Sequence, residues 1–111
     1  MKESEMEVQT GTLPCGKQYT IQASGKKAPG LVEGDHMIAI IDGNELSAEA
    51  LGAQVTGELF AVAFAYAMAH AAEPGKYRLA INGGTVATRG HLHIHIILPK
   101  GNDKLDTLVA R

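Results

Sequence analysis

The sequence predicts an α+β domain, a mainly antiparallel sheet with one long helix packed on it. Three observations lead there. Short alternating or continuous apolar stretches recur between turn-rich segments, which is the patterning of strands. One segment, beginning near Ser47, changes to apolar steps of three and four residues, the period of a helix. Strand-like stretches lie on both sides of that helix without regular alternation, which disfavours a sheet built from βαβ units. A chain of 111 residues suits one domain, with a core over about residues 18–98 and a tail on either side.

Each element has its own signal. The first dozen residues read as frayed or extended, ending in the turn-rich Gly11-Thr12-Leu13-Pro14-Cys15-Gly16. Gln18 to Ala23 mixes β-branched and aromatic residues in alternation, which suits a short strand. Ser24 to Gly30 carries Gly, Pro and two lysines and reads as a loop. Met37-Ile38-Ala39-Ile40-Ile41 is a buried strand stopped by Asp42-Gly43-Asn44. Ser47 caps a helix with Glu49 in its first turn, and Glu73-Pro74-Gly75 stops it near Ala72. Leu51, Val55, Leu59, Val62 and Tyr66 form one apolar stripe; Phe60, Phe64 and Met68 form a second beside it. A helix apolar on two sides is expected to touch both the sheet and a partner subunit. Lys76 to Ile81 and His91 to Leu98 read as the last two strands, the second closed by Pro99.

Composition excludes several classes. Ten Lys and Arg stand against 12 Asp and Glu, with a net charge of -2 and no long basic run. This balance argues against a nucleic-acid module that neutralises phosphates. The longest apolar run, Leu59 to Ala69, is far short of the roughly 20 residues that span a bilayer, so no membrane partner is expected. Met1 to Glu7 is charged and lacks the apolar stretch of a secretory signal, which makes a cytoplasmic protein the expectation. The single Cys15 makes no internal disulfide. Gly11 to Lys17 nearly spells a phosphate-binding P-loop, but Gln18 replaces the magnesium-holding Ser or Thr and a strand follows instead of a helix.

Chemistry concentrates in the histidines. Five are present, and His91, His93 and His95 fall within five consecutive residues. On a strand, alternate residues share a face about 6.5 Å apart, so Leu92, Ile94, Ile96 and Leu98 meet the core while the three imidazoles line the other side. Such a row binds a metal with a third ligand from His36, His70 or Asp35, or it performs nucleophilic and acid–base chemistry on phosphorus. Asn82, Gly83, Gly84, Thr85 and Thr88 precede the row. They offer an amide, backbone N–H groups and hydroxyls, which suit a phosphate better than a metal.

Tyr77 to Gly83 followed by His91-Leu92-His93-Ile94-His95-Ile96-Ile97 resembles the signature of the histidine triad (HIT) superfamily, and the resemblance covers about residues 36–98. It implies a HIT-like fold, an antiparallel five-stranded sheet with the helix packed on it, and a homodimer. It implies hydrolysis or transfer of nucleoside monophosphate derivatives, a small nucleotide substrate, no cofactor and no metal in the chemical step. By position, His93 is the nucleophile that becomes nucleotidyl-histidine, His95 fixes its tautomer and orientation, and His91 contacts the phosphate or leaving group. Asn82, Thr88 and His36 fall at substrate-binding positions. Ala87 stands where the family often has Gln, and no acid for the ribose hydroxyls is evident near Ala28. A non-catalytic nucleotide-binding protein of the same fold is therefore the second reading, and a metal-binding histidine face the third.

Overall fold

The computed structural model describes residues 8–25, 31–81 and 91–103. They form five strands and two helices: β1 (Gln9–Thr12), β2 (Gln18–Ala23), β3 (Asp35–Ile41), α1 (Ala48–Leu51), α2 (Ala53–His70), β4 (Arg78–Ile81) and β5 (Ile94–Leu98). The strands make one antiparallel sheet in the order β1-β2-β3-β5-β4. The α+β class and the single long helix agree with the sequence expectation, and β2 has the boundaries the alternation predicts.

Three local differences have physical causes. The segment expected to be frayed contains β1, which pairs with β2 through a turn closed by Leu13 N donating to Lys17 O and Gly16 N to Leu13 O, both 2.8 Å. The near-P-loop residues are thus a hairpin connection. The helix expected from Ser47 begins as the short α1, whose Ala50 N donates to the Ser47 hydroxyl at 3.1 Å, and then breaks at Gly52. Gly52 sits at φ 93°, ψ 167°, backbone space that is essentially open only to glycine. The final strand begins at Ile94, so His91 to His93 form an irregular entry to it, tied in by Leu92 N donating to Leu46 O at 2.9 Å.

The pleat divides the sheet into two faces. Tyr19, Ile21, Met37, Ala39, Ile41, Ile94, Ile96 and Leu98 lie on one, and Leu59, Ala63, Tyr66 and Ala67 of α2 close over them. The apolar stripe read from the sequence is therefore the packed one. By register, the opposite face carries His36, Ile38, His95 and Ile97, since Ile38 pairs with His95 and His36 with Ile97. Among the described residues no helix is long and apolar enough to cross a membrane.

The β3–β5 register is locked at one end. Asp103 accepts backbone N–H bonds from Val32 (2.7 Å), Glu33 (3.0 Å), Gly34 (2.8 Å) and Lys100 (3.1 Å). It so ties the lead-in of β3 to the exit of β5. Lys100 adds an ion pair with Asp35 at 3.1 Å. Gly34 is required there because a Cβ at that position would overlap the Leu98 carbonyl oxygen.

Candidate functional site

The site is assembled from β3, β5 and the irregular entry to β5. His36, His93 and His95 are 6%, 7% and 6% exposed, so three polar rings are buried on or beside the face away from α2. A buried polar group without a partner costs roughly 1–3 kcal/mol, so their bonds decide their orientation.

His93 Nδ1 lies 2.8 Å from the His91 carbonyl oxygen. A carbonyl only accepts, so His93 carries its proton on Nδ1, and in the neutral ring Nε2 keeps the lone pair. The expectation assigned this role to His95, whereas the bond that sets the His93 tautomer comes from the His91 backbone. The chain bends back to make it because residues 91–93 lie outside the strand. The His91 and His93 rings meet in a tilted pair with centroids 4.3 Å apart at 43°, closer than alternate positions of a regular strand.

His95 is held from the other side. Its Nδ1 lies 2.9 Å from His36 Nε2, and the two ring centroids are 5.1 Å apart. Diagonal placement across the β3–β5 ladder brings these residues together from 59 positions apart in the chain. The Ser24 hydroxyl in turn lies 3.3 Å from His36 Nδ1. His36 therefore meets the triad through His95. Asn82, Thr88 and Ala87 lie outside the described residues.

The remaining candidates resolve into structural partners. His70, in the last turn of α2, packs its ring on Tyr66 with centroids 4.2 Å apart. Asp35 pairs with Lys100. Among the described residues no group of three or more His, Cys, Asp or Glu is arranged to hold a metal ion. Cys15 is exposed, and its backbone N–H donates to Glu58 at 3.0 Å.

Two contributors escape a reading of the sequence. Ser24 falls in a segment with the composition of a loop, and nothing local marks it as a histidine partner. Asp103 had a faint signal, an acid after Lys100-Gly101-Asn102, where turn aspartates bond nearby backbone N–H groups. Its carboxyl is subject to desolvation, which raises its pKa, but the N–H bonds from Lys100, Val32, Glu33 and Gly34 outweigh that and hold it at about 2. Comparison of the chain with family models, curated proteins and solved structures finds no match.

Proposed function

We infer that this chain is a HIT-like nucleotide-binding domain that hydrolyses or transfers nucleoside monophosphate derivatives through His93. The observation that carries this reading is the His93 Nδ1 bond to the His91 carbonyl. It leaves Nε2 unprotonated, the form in which an imidazole nitrogen is nucleophilic, within a cluster of buried imidazoles.

Nε2 of His93 attacks the α-phosphorus. The P–N bond forms as the bond to the leaving group breaks, and its electron pair departs with that group, which takes a proton from a protonated neighbouring imidazole, His91 by position. Water then attacks phosphorus, the P–N pair returns to Nε2, and the proton lost by the water restores the donor ring. Asn82 and Thr88 hold the phosphate in this reading, His36 acts through His95, and no metal or cofactor enters the chemical step. Incubation with an adenosine phosphoramidate, followed by quenching and intact mass analysis, is expected to show a nucleotidyl adduct or released nucleoside monophosphate. Neither product across purine and pyrimidine substrates would remove the catalytic reading.

Ala87, with no donor side chain at the position where the family often has Gln, favours a second reading as a nucleotide-binding protein without efficient chemistry. Calorimetry with nucleoside monophosphates separates the two, because binding without turnover selects the second.

The reading includes a homodimer. Phe60, Phe64 and Met68 are 38%, 38% and 56% exposed on α2, flanking the stripe that packs on the sheet. Phe64 touches Tyr77, which leads into the sheet-edge strand β4, with ring centroids 5.9 Å apart. An apolar helix face beside a strand edge is a surface that a second copy covers efficiently. Light scattering across a concentration series measures the state directly, and a monomer at all concentrations would exclude it.

A further inference from the structure

We propose that Ser24 is a positioning residue that, through His36, places the proton of His95 on Nε2. The three groups form a continuous line: Ser24 Oγ to His36 Nδ1 at 3.3 Å, then His36 Nε2 to His95 Nδ1 at 2.9 Å. The line is built on ladder geometry, because Ser24 N donates to His36 O at 2.9 Å and so sets the two residues opposite one another at the end of β2. His36 and His95 then meet across β3 and β5, whose register Asp103 ties.

A neutral imidazole carries one N–H and one bare nitrogen, so each bond in the line dictates the next. A serine hydroxyl can donate or accept; in the proposed direction it donates to His36 Nδ1, which requires His36 to carry its proton on Nε2. That proton donates to His95 Nδ1, and His95 must carry its own on Nε2, the nitrogen that His36 does not occupy. His93 and His95 then present opposite characters: a bare Nε2 on His93 and an N–H on His95. The reverse order would turn a second bare nitrogen toward an anionic phosphate. The line itself stands on the hydrogen bonds; its direction and its effect on turnover rest on the nucleotidyl-transfer reading above. Removing the hydroxyl takes away the donor that the line assigns to His36 Nδ1 and weakens the tautomer preference it passes to His95.

Long-range 1H–15N correlation spectra of the imidazoles, recorded without nucleotide, test the assignment on the full chain. Wild type and Ser24→Thr are expected to show His95 as the single Nε2–H tautomer, and Ser24→Ala a mixture in both His36 and His95. Under the transfer reading, Ser24→Ala also lowers kcat by about tenfold, the scale of one hydrogen bond, with KM within about twofold. Spectra indifferent to Ser24→Ala, a Ser24→Thr variant that behaves like alanine, or a wild-type His95 proton on Nδ1 would each overturn the proposal. Tautomers that respond to Ser24 in a protein that turns over no nucleotide would uphold the line and remove the transfer reading. Turnover with unresponsive spectra would do the reverse.

Discussion

The two faces of this sheet come from the same strands and are held by different physics. On the α2 side, Met37, Ala39, Ile94, Ile96 and Leu98 lock onto Leu59, Ala63, Tyr66 and Ala67 through apolar burial, which is non-directional and scales with area. On the opposite side the buried groups include His36 and His95, which are satisfied by bonds of defined direction and length. The apolar face tolerates exchange among residues of similar volume. The histidine face does not, because moving one ring breaks its directed bond to the next. One sheet thus separates a stabilising surface from a chemically specified one by the alternation of the pleat.

Four perturbations test that separation, from the largest effect to the smallest. Under the proposed nucleotidyl-transfer reading, His93→Asn is expected to abolish adduct formation, lowering kcat/KM by at least about 10³-fold, of order 4 kcal/mol in the barrier. The Asn amide keeps an N–H donor near the position of Nδ1 for the His91 carbonyl, so the melting temperature should change little, and a large loss of stability would show that the two faces are not independent. Ile96→Ala, on the α2 side, is expected to cost about 2–5 kcal/mol in denaturant unfolding. Its folded fraction should still form the adduct at the wild-type rate, and a slowed rate would join the faces.

Asp103→Ala acts on the tie between the lead-in of β3 and the exit of β5, since it removes the acceptor for four backbone N–H groups and is expected to cost about 1–3 kcal/mol. The pH dependence carries a definite sign. The folded carboxyl is held at about 2, below the ordinary value near 4. Its stabilisation is therefore complete above about pH 4 and is lost as pH falls through about 2. The stability gap between wild type and Asp103→Asn should narrow over that window, and a gap independent of pH would discount the carboxylate charge. The smallest monomer effect belongs to Met68→Glu on the exposed side of α2, where the side chain is 56% exposed, within about 0.5 kcal/mol by chemical denaturation at low protein concentration. Under the proposed homodimer reading, the same change is expected to shift the protein to monomer in light scattering.

The faces differed in how legible they were. Periodicity marked Leu92, Ile94, Ile96 and Leu98 as core and separated the Leu59–Tyr66 stripe from Phe60, Phe64 and Met68. Those assignments need only the periods of strand and helix. It overextended β5 by three residues, because alternation continues through His91-Leu92-His93 while the backbone there bends to close the His93 bond. It also ran the helix through Gly52, where helical steps in the side chains persist across a backbone break. On the histidine face, the residue types were visible and their partners were not.

The sequence by itself determined the α+β class, the apolar side of α2 and the gathering of imidazoles before Pro99, because these follow from local pattern. Tertiary structure decided which nitrogen meets which. His36 finds His95 from 59 residues away, Ser24 finds His36 from 12, and Asp103 finds Gly34 from 69. These bonds depend on strand register, and register is a property of the assembled sheet. A hydrogen bond requires a donor and an acceptor placed to within tenths of an ångström. Hydrophobic patterning specifies only the face on which a side chain falls.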